Sequence, residues 1–342
     1  EEDFDVIHCM NMTSLGAVTL KPKIKKPFIA HVNSYLFVCP KGDLWYHGKE
    51  ICKIHCNYNT FVPCLRDCQD VGKMKVTPWL KYNPIALSNI YARYFHFKQW
   101  LHAFDAVVAI STYVQERLAF IGLKKEKVFV LHNILDLEPY LKMAVKGEGK
   151  GERNGKGERK GKGEKEKRKI QILYLGNYAT FKGPQILLEA VKELQGVACH
   201  FYGSGPMELA LRAMAVQYPH IRIHGRVAEE QLPELYAKTD IVVFPSLWPE
   251  PFGRVPMEAM AAGKAVIASN IAGIRDTVDA KTGILVPPGD VKSLRKALEK
   301  LINNPTLRER LGSNGRKEVR EKFSGEKIAR EMIQTYSAVC RK

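Results

Sequence analysis

The sequence predicts an α/β protein of two Rossmann-like domains, the second built on a doubly wound parallel sheet. Three observations predict it. At roughly 100–200 residues per domain, a chain of 342 residues has room for two cores. A segment unable to pack, residues 146–169, divides it. Beyond that segment short apolar runs alternate with helical patterns, the order that builds a parallel sheet flanked by helices.

Taken in order, the first half offers strands at 6–9, 28–32, 106–110 and 128–131, each a short apolar run rich in branched side chains. Helical patterns lie around 89–102 and 112–121, and a cysteine-rich insertion, 39–68, interrupts the alternation. Residues 146–169 hold eleven Lys/Arg, five Asp/Glu, seven Gly and one Asn, with no hydrophobic side chain. Such a composition cannot offset the entropy of ordering, so a mobile tether is expected there. The expected plan is a first domain at 1–143, a charged linker at 144–169, a second domain at 170–322 and a last helix, 323–342, crossing back to the first domain.

The second half opens with a strand at 170–175, then a helix at 184–194, a strand at 198–202 and a helix starting near Pro206. Further strands are expected at 221–224, 241–244, 265–268 and 284–286. Asp290 is suited to cap the next helix, whose Val291, Leu294, Leu298 and Leu301 share one face. In such sheets ligands bind outside the carboxyl ends of the strands.

Composition narrows the function. Hydrophobic residues at 45 % and charged residues at 26 % are ordinary for a globular protein. The longest apolar runs, such as 106–110 and 241–244, are far shorter than the roughly 20 residues of a membrane-spanning helix. No charged and apolar targeting stretch precedes Asp5, so a cytoplasmic location is expected. Of the net charge of +17, +6 lies in 146–169, and the rest forms no aromatic-interleaved basic stripe. No nucleic-acid partner is therefore expected, whereas attraction to anionic headgroups leaves room for peripheral membrane contact.

The chemistry concentrates in residues 244–269, which read as strand, loop, helix, strand. Pro256 suits a first helical turn and Gly263 a stop, placing Glu258 in the first turn beside free backbone amides. Glu250 lies on the loop, with seven residues between the two acids. A carboxylate can accept two ribose hydroxyls at once, and the amides around Phe252 and Gly253 suit a sugar or phosphate. Two more strand-to-helix loops end at the same sheet edge. One is Gly203-Ser204-Gly205-Pro206; the other runs from Gly176 and Asn177 to Lys182 and Gly183. A diphosphate held by Lys182 and loop amides accounts for their convergence.

With these residues in place, the chain resembles glycosyltransferase family 4, the retaining enzymes of GT-B fold, whose two Rossmann-like domains face a cleft. The resemblance implies a nucleoside-diphosphate sugar as donor, no catalytic metal, and an acceptor hydroxyl on a glycan, lipid or small molecule. It implies that Glu258 holds the ribose, that Glu250 with Pro251, Phe252 and Gly253 contacts the donor sugar, and that Lys182 holds the diphosphate. Gly176, Asn177, Gly203, Ser204 and Gly205 complete the implied donor site. In the first half the likeness rests on Asp5-Val-Ile-His8, residues 28–40, 104–111 and 130–133. Asn177 stands where the family usually has Arg, and Asn33 where many members place a His near the reacting sugar. His31, two residues earlier, is the substitute on that strand. The family's opening strand, glycine loop and helix are not among these residues, so an incomplete acceptor domain is implied. A catalytically impaired subunit and a GT-B nucleotide-sugar epimerase are the alternatives, the latter opposed by the paired glutamates.

Cys39, Cys52, Cys56, Cys64 and Cys68 fall within thirty residues, and the pairs Cys52/Cys56 and Cys64/Cys68 are each separated by three residues. Two readings stay open: a structural zinc held by four of the five, or reduced thiols in a loop.

Overall fold

Short apolar runs become buried parallel strands because both faces of a sheet flanked by helices are covered. The computed structural model describes residues 4–67, 78–148 and 168–341. It packs as two compact units, one holding the chain up to Ile134 with Trp248–Phe252 and everything from Gly325 on, the other Leu135–Leu247 with Gly253–Ser324.

The first unit contains β1 (Ile7–Cys9), β2 (Phe28–Val32), the small hairpin of β3 (Trp45–Tyr46) and β4 (Glu50–Ile51), α1 (Tyr58–Asp67), α2 (Pro78–Tyr82), α3 (Pro84–Ala103), β5 (Ala106–Ala109), α4 (Thr112–Phe120) and β6 (Val128–Val130). Its main sheet runs β1-β2-β5-β6, all parallel. Every residue of β2 and β5 is buried, which is why both read as unbroken apolar runs apart from His31. Helix α3 starts five residues before the expected 89. Asn83 caps it by accepting the Ala86 amide, and Pro84 fills the first turn, where its missing N–H costs nothing. The insertion 39–68 supplies the β3–β4 hairpin and α1.

The second unit contains α5 (Glu138–Glu148), β7 (Ile170–Leu175), α6 (Pro184–Val191), β8 (Val197–Tyr202), α7 (Glu208–Ala215), β9 (Ile221–Ile223), α8 (Leu232–Ala237), β10 (Ile241–Phe244), α9 (Arg254–Ala261), β11 (Ala265–Ser269), α10 (Ile274–Thr277), β12 (Gly283–Val286), α11 (Val291–Ile302) and α12 (Pro305–Lys322). Its six strands are parallel in the order β12-β11-β10-β7-β8-β9. The direction of winding reverses between β7 and β10, and the carboxyl ends of those two strands form the switch point where doubly wound sheets bind ligands. Ile172, Leu187, Phe201, Val243, Ile267 and Leu298 are almost wholly buried and centre the core. Asp290 caps α11 as expected, accepting the Ser293 amide.

Residues 135–143, expected with the first domain, lie in the second unit, where α5 packs against α8 and α9. Of the expected linker, 144–148 continue α5, and 149–167 lie outside the described residues. The last helix, α13 (Gly325–Cys340), belongs to the first unit, where Met332, Tyr336 and Val339 pack against Ile29, Val108 and Leu131.

Candidate active site

The loops at the switch point interlock through their backbones. After β7, Gly176 N donates to Tyr202 O at 3.1 Å and Tyr178 N to Ser204 O at 3.0 Å, joining that loop to the one after β8. Met207 N donates back to Tyr178 O at 2.8 Å. Gly203 N reaches Gly225 O at 3.1 Å, adding the loop after β9, and Leu247 N reaches Phe181 O at 2.8 Å, adding the one after β10. Tyr178 anchors the assembly, its buried hydroxyl 2.7 Å from the carbonyls of both Phe201 and His224. Two glycines are needed for this approach. A Cβ at Gly203 would stand 1.8 Å from Gly176 O, and one at Gly183, whose φ is +72°, 2.0 Å from Pro245 O.

Around these loops lie the predicted residues of the second unit. Gly176, Gly203, Ser204 and Gly205 are half-buried, Asn177 is exposed, and half-buried Lys182 ends a 3-10 turn with its Nζ 5.8 Å from the Phe181 ring centroid. Sequence reasoning missed Arg226, whose Nε donates to Ser204 Oγ at 2.7 Å and brings a guanidinium to the Gly-Ser-Gly loop. Its place just beyond β9 was the available signal.

Glu258 differs from expectation. Helix α9 begins at Arg254, so Glu258 is its fifth residue and lies past the first turn and its free amides. Its carboxylate is satisfied by side chains instead: Arg254 Nε donates to Oε1 at 2.6 Å and Tyr236 Oη to Oε2 at 2.9 Å. Arg254 also pairs with Glu229. Tyr140, from α5, packs edge-on to Tyr236 with centroids 5.5 Å apart. Glu258 is 2 % exposed, and burial pushes its pKa up while the hydrogen bonds from Arg254 and Tyr236 pull against that. Burial likewise lifts Tyr140 to about 12. Arg254 was legible from its four-residue spacing to Glu258 on one helix; neither tyrosine had a local signal.

Glu250, Pro251 and Phe252 belong to the first unit, as do His31 and Asn33, whereas Gly253 belongs to the second; the predicted set is thus divided between the units. In the first unit, Tyr35 Oη donates to Pro249 O at 2.7 Å, Trp248 Nε1 to Asp43 O at 2.5 Å, and Phe252 stacks on His132 at 5.5 Å. These contacts fix residues 248–252 and leave Glu250 8 % exposed. His31, on β2, is 7 % exposed and stacks on His8 with centroids 5.5 Å apart. Burial and the neighbouring His8 push it down to about 4 against a hydrogen bond with Asn133, so the ring is neutral near pH 7, and Nδ1 has no hydrogen-bond partner. Asn33 follows β2 and is exposed.

Cys39, Cys52, Cys56 and Cys64 line one pocket together with Trp45 and Phe61, while Cys68 lies outside the described residues. Burial pushes the Cys39 thiol up to about 12 and that of Cys56 to about 11. Among the described residues, which leave out Cys68, no group of three His, Cys, Asp or Glu is arranged to hold a metal ion.

Residues 1–139 match the family model Glycosyltransferase Family 4, and residues 155–318 match Glycosyl transferases group 1. An uncharacterized glycosyltransferase of Methanocaldococcus jannaschii is 32 % identical over 172 residues, 48 % of this chain and 44 % of that protein. The capsular polysaccharide biosynthesis glycosyltransferase CapM of Staphylococcus aureus is 43 % identical over 103 residues, 30 % of this chain and 27 % of that protein. The chain thus spans less than half the length of these curated relatives. Among solved structures, HepE of Anabaena in complex with UDP superposes with a TM-score of 0.69 at 18 % identity, covering 98 % of this chain and 79 % of the other. With the two family matches following one another along both folded units, the chain belongs to the family 4 glycosyltransferases and has their GT-B fold.

Proposed function

We propose that this chain is a retaining, metal-independent hexosyltransferase that moves a sugar from a nucleoside diphosphate to a hydroxyl of a glycan or lipid acceptor. The observation that carries this reading is the interlocked set of loops after β7, β8, β9 and β10 at the switch point. Support for the donor class comes from HepE, which binds UDP, and for a glycan acceptor from CapM, named for capsular polysaccharide synthesis. On this reading the Glu258 carboxylate accepts the ribose hydroxyls, Glu250 with Pro251, Phe252 and Gly253 contacts the donor sugar, and Gly176, Gly203, Ser204 and Gly205 let the backbone approach the nucleotide.

Bond breaking runs ahead of bond making, so positive charge grows on the sugar ring and negative charge on the departing diphosphate. Fixed positive groups aimed at that diphosphate lower the barrier. With Asn177 in the position usually held by Arg, the charge comes from Lys182 and Arg226. Neutral His31, with Asn33 beyond it, contributes polar groups on the acceptor side. Lys182→Ala should therefore lower kcat by about 10²–10³ with a smaller change in KM for the donor. An equal loss in donor affinity and turnover would reduce Lys182 to a ground-state contact.

The replacements at Asn33 and Asn177 favour a second reading, a subunit that binds donor without turning it over. Release of nucleoside diphosphate only when acceptor is present would exclude it.

A further inference from the structure

We propose that the α2–α3 face of the first unit docks on an anionic lipid bilayer. Only Asn83 separates α2 from α3. At that junction Trp79, Tyr82 and Ile85 are 67 %, 64 % and 73 % exposed, and farther along α3 Phe95 is 49 % exposed. Single exposed apolar side chains are ordinary, but large ones grouped on one segment mark a surface with a partner.

Charge identifies the partner. From Pro78 to Phe104 the sequence has no Asp or Glu, while Lys81, Arg93 and Lys98 supply cations. Arg66 adds another at the junction: its guanidinium lies 5.2 Å from the Tyr82 ring centroid, its Nε donates to Lys81 O at 3.3 Å, and Lys81 Nζ donates back to Arg66 O at 3.1 Å. The carboxylate beside it, Asp67, is paired with His47. Trp and Tyr favour the boundary between headgroups and acyl chains, where an apolar ring is buried and a polar edge stays wet, and cations beside them meet lipid phosphates. A basic helical surface with exposed aromatics therefore lies on the membrane plane. Crossing is not the mode, because no helix among the described residues is long and apolar enough to span a bilayer. This docking does not depend on the proposed donor chemistry.

The test is co-sedimentation of the full chain with vesicles of phosphatidylcholine alone and of phosphatidylcholine mixed with phosphatidylglycerol. The chain should bind the mixed vesicles, and at least about tenfold more weakly the neutral ones or the mixed ones at high salt. The triple variant Trp79→Ser, Tyr82→Ser, Ile85→Ser should bind the mixed vesicles about tenfold or more weakly than the parent. Its thermal unfolding should be unchanged, since the three side chains are exposed. Lys81→Glu with Lys98→Glu should reduce binding and flatten its salt dependence. No binding by the parent, or parent-like binding by the triple variant, would overturn the proposal. So would a triple variant that changes oligomeric state yet still binds vesicles, because the patch would then be a protein interface.

Discussion

Glu258 is a carboxylate that its surroundings push in opposite directions. Burial favours the neutral acid, while Arg254 and Tyr236 each donate a hydrogen bond to the charged form. Its pKa is raised overall, so the ionised form is lost at a higher pH than for a free glutamate. On the proposed role of Glu258 the ribose hydroxyls need the ionised acceptor, and donor affinity should fall as pH drops through that raised value. Tyr236→Phe removes one hydrogen bond to the carboxylate, which raises the pKa further and moves the acid limb of donor binding to higher pH. At neutral pH the variant should bind donor about three- to tenfold more weakly, the loss of one hydrogen bond to a charged group. A pH profile identical to that of the parent would remove Tyr236 from the site. Glu250 and Glu258 could be proposed from sequence because Glu-Pro-Phe-Gly and the second acid stand in a fixed local pattern. Tyr236 and Tyr140 were not, because they reach Glu258 and its neighbours through the packing of α8 and α5, and no local periodicity encodes that.

Among the elements, strands were legible and helix starts less so. Strands β7 and β10 have the bounds expected from their apolar runs, which end directly at Gly176 and Pro245. Helices α3 and α9 begin earlier than their apolar patterns suggest, since a cap or a preceding glycine sets the start before the first buried side chain. Helix α5 was missed: its continuation into a Gly- and charge-rich segment hid a helix docked on the second unit. The cysteine insertion was legible as a cluster. Cys39, Cys52, Cys56 and Cys64 come together in one pocket, while Cys68 lies outside the described residues, so the choice between zinc ligands and reduced thiols rests on the metal content of the protein. If four of the five thiols hold zinc, elemental analysis of purified protein should find about one zinc per chain. Metal-free protein of equal stability would leave reduced thiols as the reading.

At the scale of the molecule, the division into two α/β units and the parallel second sheet followed from chain length and alternation, whereas strand order did not. Adjacency of β7 and β10, far apart in sequence, comes from the crossover connections of the sheet and leaves no trace in periodicity. That adjacency creates the switch point and gathers Lys182, the Gly-Ser-Gly loop and Arg226 around it. The net charge of +17 bears on membrane attraction and not on the fold. The most direct test of a nucleotide-sugar site in the second unit is thermal unfolding of the full chain against a panel of UDP-, GDP- and ADP-sugars. At least one donor should stabilise the chain, by about 2.7 kcal/mol at a hundred times its Kd, and Glu258→Gln should lose most of that stabilisation. No stabilisation by any nucleotide sugar, or the same stabilisation in Glu258→Gln as in the parent, would contradict the account.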